Sequence, residues 1–514
     1  MPGSGTRKNI EKVMLIFPTG KVYKGRFHHC ELPLGIAYLA SVLRGDFKVK
    51  VLDARAKFRT FIPENSIWEY YGYTEEEIIK EIEAFSPDVL GITCLFSYQF
   101  SQVVSIFRRI KSLTPEIVTV TGGSHPTFLC DKIMPEHPEI DYIILGEGER
   151  TFSELLNRLR RGEDYLALDG LAFRDKGGVR VNEKKNFIED LDSLPFPAHD
   201  LLPMEFYHRN AVPFGVSFRN RRNAPVMTSR GCTSKCIFCA SRNYWGNMYR
   251  ERSPENVLDE IEMLVKKYGI KEIQFVDDNL TLNRKRAMSI FQGIIERKLK
   301  ICWNTPNGIA VWTIDEEMLD LMKKSGCYEL TIAFESGDQE VLSRIIKKPL
   351  NLEKAAGLVR KIQKKGILTF GYFICGFPDE TPEQVMKTFQ FARKVDLDGA
   401  GFFIANPTPG SELFDVCRQR GYIKGEFSFE NIEYILPNFG TDHMSAEELE
   451  QLVLKNFNSF LFRVLIRHPV RFAKKYLLMF LAHPGMAFRT TWSDIDRILK
   501  RLWKRSQKHL IIRA

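Results

Sequence analysis

Twice along this chain, short apolar runs alternate with amphipathic stretches, and that alternation leaves few folds open. A strand whose chain returns through a helix to a parallel neighbour makes a right-handed crossover, so each block predicts a parallel sheet covered by helices. In the first block the predicted strands are Val13–Phe17, Val49–Asp53, Val89–Cys94, Ile117–Thr121 and Tyr142–Leu145, with helices near 34–44, 75–84, 101–113 and 150–160. Five strands in this pattern predict an α/β flavodoxin-like (Rossmann-type) domain over residues 10–165, with its ligand at the strands' carboxyl ends. In the second block the predicted strands are Val226–Arg230, Glu272–Val276, Cys302–Thr305, Glu329–Phe334, Leu368–Cys375 and Gly401–Ala405. Six such units predict a partial (β/α)6 barrel over 221–430, with its active site at the C-terminal mouth. Residues 166–220, with the Asp175-Lys-Gly-Gly178 turn and the extended Leu194-Pro-Phe-Pro197, read as linker and hairpin, and 431–514 as a helical, basic C-terminal region.

At the start of the second block lies Cys232-Thr-Ser-Lys-Cys236-Ile-Phe-Cys239, on a loop that follows the strand-like run Val226 to Gly231. Three thiolates at this spacing can hold three irons of a four-iron cluster and leave the fourth open for chemistry. An electron carrier needs a fourth thiolate, and a zinc finger needs four ligands. No fourth Cys is near. The competing reading is three buried thiols or a partial zinc site. Cys302, Cys327, Cys375 and Cys417 read as core thiols, and His28, His29 and His125 as polar loop residues.

The ten cysteines show no pairing pattern, and the polar, basic start from Met1 to Glu11 lacks a signal peptide's apolar segment. Both point to a reducing cytoplasm. The net charge of +10 suggests nucleic acid until it is localised. Fourteen of the 74 Lys and Arg, and only Asp494 and Asp496 among the acids, lie from Lys455 to Ala514; that stretch carries +12 and the rest −2.

The Cys-x3-Cys-x2-Cys loop, with Phe238 before its last Cys, resembles that of the radical S-adenosylmethionine (SAM) enzymes. The first block resembles the cobalamin-binding domain of one large class of them, through the segments from Leu32 to Leu43, Asp53 to Arg55, Gly122 to Thr127 and Gly146 to Glu149. The resemblance spans roughly 10–425 and implies a cobalamin-dependent radical SAM enzyme. Its cofactors would be a [4Fe-4S] cluster on Cys232, Cys236 and Cys239, SAM, and cobalamin. Cobalamin contacts are then expected from Leu34, Gly35, Asp53, Gly122, Gly123, Ser124, His125, Pro126, Glu147, Gly148 and Glu149. SAM contacts are expected from Asp277, Glu335, Ser336, Gly376 and Asn406. Absence of Asp-x-His-x-x-Gly implies that no His binds cobalt, and a domain that keeps the fold without corrin is the competing reading.

The implied chemistry is reductive cleavage of SAM to a 5′-deoxyadenosyl radical, supplied with an electron by an external flavodoxin- or ferredoxin-type donor. That radical takes hydrogen from an unactivated carbon, which methylcobalamin then methylates. Ring formation or rearrangement with the same cofactors is the alternative, and a methylthiotransferase would need a second cluster, for which only Cys30, Cys94 and Cys130 are available. A non-catalytic cobalamin or SAM sensor docked on a membrane is the reading from another class. In the tail, aromatic and basic residues interleave over Asn456–Ala514, which fits either a segment lying on an anionic membrane surface or a helical cap on the barrel. No run reaches the length of a spanning helix. No stacking sheet accompanies the charge, which argues against nucleic acid. A peripheral place on the inner face of the membrane would favour a small lipid-like, isoprenoid or tetrapyrrole substrate.

Overall fold

The computed structural model describes residues 8–23, 28, 30–57, 59–62, 68–210, 218–423, 437–469, 473 and 477. Its N-terminal sheet holds five parallel strands in the order Lys48–Asp53, Lys12–Phe17, Val89–Thr93, Val118–Gly122 and Tyr142–Ile144. This is the flavodoxin order. Helices cover both faces, which is why Val13 to Phe17 are buried without the alternation of a half-exposed strand. The helices Leu34–Leu43 and Glu149–Arg161 pack together on one face. The helices Glu75–Phe85 and Phe100–Leu113 also pack together. Thr74 and Glu77 form a capping box that starts the first of these.

Two features of this half differ from the sequence expectation. The hairpin Leu171–Asp175 and Gly178–Asn182 joins the sheet antiparallel, beside Tyr142–Ile144, so the first unit runs past 165. Leu171, Ala172 and Phe173 are buried there, whereas the outer strand is exposed. The segment after Gly123 is a helix, Ser124–Glu136, rather than a loop. A small sheet of Gly20–Tyr23, Trp68–Tyr71 and Thr60–Phe61 was also not anticipated.

The second sheet contains Asn223–Val226, Glu272–Phe275, Cys302–Ile309, Cys327–Glu335, Leu368–Cys375 and Gly399–Ile404, all parallel and in chain order. It is an open partial barrel. Its first strand ends four residues earlier than expected because Thr228 and Ser229 turn to hydrogen-bond Asp277, and Ser229–Arg230 pairs instead with Arg250–Glu251. Pro225 is tolerated because this strand is at the edge. Pro254 and Pro382 open the helices Pro254–Tyr268 and Pro382–Val395, where a missing N–H leaves no hydrogen bond unmade.

The helix Ala446–Arg467 lies on the barrel, burying Leu449, Val453, Phe460 and Val464, with Phe460 5.7 Å and Phe457 6.0 Å from the Phe402 ring. The start of the basic tail is therefore a structural cap; Phe472, Tyr476 and Phe480 lie outside the described residues. No helix among the described residues is long and apolar enough to cross a membrane.

Candidate active site

Gly231 has φ 87°, and a Cβ there would stand 2.2 Å from the Met248 carbonyl, so the turn into Cys232 requires glycine. The loop that follows is fixed from two sides: Ile237 N donates to Ile346 O (3.0 Å), and its carbonyl accepts from Leu413 N (2.8 Å). The Phe238 ring packs beside Phe377 at 6.3 Å. Cys232, Cys236 and Cys239 are half-buried and unbridged. Burial pushes the Cys236 thiol up to about 11 and Cys239 up to about 12, so loading a cluster displaces protons from them. Among the described residues no three His, Cys, Asp or Glu converge on one point as a single metal ion requires. The triplet fits a multi-iron cluster instead. Cys30, Cys94 and Cys130 are buried core thiols, and among the described residues they form no second ligand set.

A cavity of about 290 Å³ opens between the two units. On the N-terminal side its wall includes Leu34, Gly35, Gly122, Gly123 and Gly148; on the barrel side it includes Met227, Val276 and Asn307. Gly123 has φ 106°, and a Cβ there would lie 2.6 Å from the Cys94 carbonyl. The cavity wall also includes the apolar Leu15, Ile36, Leu39 and Phe152, with Gly91 among them. A Cβ on Gly91 would sit 2.9 Å from Leu15 Cδ2 and 3.5 Å from the Phe152 ring. Glycines along the wall let a bulky cofactor approach the backbone, which fits a corrin. Glu31 Oε2, buried at the cavity wall without a hydrogen-bond partner among the described residues, suits a ligand that brings amide N–H groups.

Other expected cobalamin contacts are occupied elsewhere. Ser124, His125 and Pro126 do not line the cavity. Ser124 Oγ donates to Leu95 O, and the His125 ring packs on Phe100 at 4.7 Å. Asp53 binds Arg55 (3.0 Å) and receives a hydrogen bond from Tyr207 (2.7 Å); it is Arg55, held also by Glu31, that reaches the cavity. Glu147 and Glu149 reach the wall but serve as an interdomain clamp. Glu147 accepts from Arg230 (2.8 Å) and Arg250 (2.7 Å), and Glu149 from Arg230 (2.6 Å). Burial pushes the Glu149 carboxyl up, and Arg230 outweighs it, so the group lies below its usual range. Arg230 is sandwiched between Tyr38 and Trp245.

The barrel-mouth residues also sort differently from expectation. Asp277 is buried, with Oδ1 taken by Thr228 and Ser229. Asp278 is the accessible carboxylate, bound by Ser241 Oγ (2.6 Å) two residues after Cys239. Ser336 is fully buried against Thr388 and shapes its own turn. Gly376 faces the C-terminal helix, where a Cβ would lie 2.3 Å from Leu449 Cδ2, and its N–H donates to Glu380 (2.7 Å). Asn406 accepts from Asn438 (2.7 Å). Glu335 is buried against Lys348 at 2.9 Å, a partner that no periodicity or motif signals.

A glycine-walled cavity at the carboxyl ends of a flavodoxin-like sheet, facing a three-cysteine loop at a barrel mouth, defines a two-cofactor iron–sulfur and corrin enzyme. Comparison with known proteins agrees: the B12 binding domain matches residues 20–156 and the Radical SAM superfamily matches 226–392. An uncharacterized methyltransferase of Pyrococcus horikoshii is 35% identical over 88% of this chain and 93% of its own. Cytidylyl-2-hydroxyethylphosphonate methyltransferase of Streptomyces wedmorensis is 33% identical over 84% and 86%. In fold, the chain resembles the radical SAM methyltransferase TsrM of Kitasatospora setae, solved with cobalamin and a [4Fe-4S] cluster, with TM-score 0.69, 18% identity and coverage of 97% and 100%. The chain belongs to the cobalamin-dependent radical SAM methyltransferases, and its cofactors are a [4Fe-4S] cluster, SAM and cobalamin.

Proposed function

We propose that this enzyme methylates an unactivated carbon of a small, largely apolar molecule held between the corrin loops and the barrel mouth. The observation that carries this reading is the shared cavity, whose wall passes from Gly122 and Gly123 to Arg230, two residues before Cys232. Bound there, cluster and SAM supply a hydrogen-abstracting radical and the corrin supplies the methyl group. The protein's own residues do the positioning. Cys232, Cys236 and Cys239 hold three irons. The accessible Asp278 carboxylate suits the SAM ammonium, and Glu335 suits its ribose hydroxyls. Tyr244 and Trp245 wall the cavity beside the cysteine loop and keep water from it. The electron comes from an external flavodoxin- or ferredoxin-type donor.

The apolar wall favours an isoprenoid, lipid or tetrapyrrole substrate. Relatives are named as a hopanoid C-3 methylase and a bacteriochlorophyllide methyltransferase, which supports that range. One relative at higher identity is named for a cytidylyl phosphonate, so a nucleotide-linked substrate belongs in the same assay. A cytoplasmic enzyme resting on an anionic membrane face through the basic tail fits a lipid-derived substrate. Ring formation is the second reading, supported by relatives named as anaerobic magnesium-protoporphyrin IX monomethyl ester cyclases.

The co-products separate the two. Methylation consumes one SAM to 5′-deoxyadenosine and another to S-adenosylhomocysteine, whereas ring formation needs only the first. Anaerobic turnover with methyl-labelled SAM and a substrate panel should give both co-products and label in the product. Substrate-dependent 5′-deoxyadenosine without S-adenosylhomocysteine would establish the cyclase reading instead.

A further inference from the structure

Two uncommon backbone features converge beside the cysteine loop. Glu335 closes the strand Cys327–Glu335 after a register shift, in the left-handed conformation at φ 65°. Val341–Ile346 forms a π-helical turn that ends at Lys347, also left-handed at φ 62°. Non-glycine residues rarely adopt that conformation, and π-turns are uncommon; both concentrate at functional sites. Together they bring Lys348 Nζ to 2.9 Å from Glu335 Oε1, with both side chains less than a tenth exposed.

The pair touches the cluster loop through the backbone. Lys348 N donates to Leu342 O (2.9 Å), and Ile346 O accepts from Ile237 N, the residue between Cys236 and Phe238. Burial disfavours the ammonium, but the Glu335 carboxylate outweighs it, so Lys348 stays charged. A buried ion pair contributes little net stability against hydrophobic side chains of similar volume. Stability therefore does not account for two strained turns.

A cluster held by three thiolates gains one negative charge when it takes an electron. Its potential depends on net local charge, hydrogen bonding and exposure. Resting on the radical SAM assignment, we infer that Lys348 is the positioning cation that eases one-electron reduction of the cluster on Cys232, Cys236 and Cys239, with Glu335 holding it in place. The step is the transfer of one electron from the low-potential flavodoxin- or ferredoxin-type donor to the cluster. The donor is oxidised, the cluster is reduced, and no bond or proton changes place.

The test is a potentiometric titration of the full-length, anaerobically reconstituted protein, followed by electron paramagnetic resonance of the reduced cluster, for wild type, Lys348→Met, Lys348→Arg and Glu335→Gln. Lys348→Met should move the midpoint to more negative potential, Lys348→Arg should stay near wild type, and Glu335→Gln should move it the other way. An unshifted midpoint in Lys348→Met with full iron content would overturn the inference. If Lys348→Met does not hold iron, Glu335→Gln decides: a positive shift supports the inference, and no shift or a negative one overturns it. Failure of wild type itself to hold a cluster would instead refute the radical SAM assignment.

Discussion

Arg230 of the barrel donates to Glu149 of the corrin domain at 2.6 Å, across an interface where both side chains are buried and only Gly231 separates the arginine from Cys232. The cluster loop and the corrin loops are thus tied by one guanidinium, which also reaches Glu147. That tie holds the cysteine loop against the loops that carry Glu147 and Glu149.

Glu149→Gln leaves Arg230 with one carboxylate instead of two. Removing one partner of a buried ion pair costs about 3–5 kcal/mol, and because Glu147 remains, the lower end is expected. The variant should still cleave SAM but give less methylated product per 5′-deoxyadenosine. An unchanged ratio together with unchanged thermal stability would remove the clamp from the account.

No histidine should reach cobalt. His125 is buried against Phe100, and burial pushes its imidazole down to about 4, so it is neutral at physiological pH. His125→Phe should retain cobalamin with the same Co(II) paramagnetic resonance spectrum. Imidazole superhyperfine splitting in the wild type, lost in the variant, would contradict this placement.

Glu272, at the opposite end of the barrel from the cysteines, makes stability depend on pH. Burial raises its carboxyl from the usual range to about 7, despite hydrogen bonds from Tyr328 (2.6 Å) and the Arg219 and Asn220 amides (2.7 and 2.6 Å). Between about pH 4.5 and 7 the folded state keeps this proton and the unfolded state has lost it, so stability falls as pH rises through the window, by about 3 kcal/mol, and is level above it. Glu272→Gln should remove that decline. Denaturant unfolding of cluster-free protein at pH 5 and pH 8 checks it, and parallel profiles for the two proteins would refute it.

The described contacts of the basic tail with the barrel lie within Ala446–His468. Cutting after Lys455 would expose the Phe402 contact and remove Phe460 and Val464 from the core, each a loss of about 1.5–3 kcal/mol. Removing only 470–514 should spare the fold and weaken sedimentation with anionic vesicles at low salt, since each basic residue near such a surface adds about 1 kcal/mol. Equal sedimentation of both proteins would end the membrane proposal.

Strand order, barrel size and the cysteine loop were legible in the sequence because each depends on local periodicity or fixed spacing. The Pro254 and Pro382 helix starts were legible for the same reason. What could not be read was which way polar side chains at strand ends turn. Asp277 and Asp278 are chemically identical neighbours, and only the inward turn of Thr228 and Ser229 decides that the first is buried. The arginine partners of Glu147 and Glu149 lie about 80 and 100 residues away, so no local spacing signals them. Lys348 carried no motif; its position depends on two left-handed residues and a π-turn that composition does not signal.

The most direct test of the whole account is anaerobic reconstitution with iron, sulfide and cobalamin, followed by counting all three and assaying 5′-deoxyadenosine from SAM, for wild type and for Cys232→Ala, Cys236→Ala and Cys239→Ala. Wild type should hold one four-iron cluster and one corrin per chain and cleave SAM. Each variant should keep its corrin and secondary structure, since the cysteines lie on a loop outside both sheets, yet form no 5′-deoxyadenosine. Normal 5′-deoxyadenosine from any of the three variants, or a wild type that binds neither cluster nor corrin, would contradict the account.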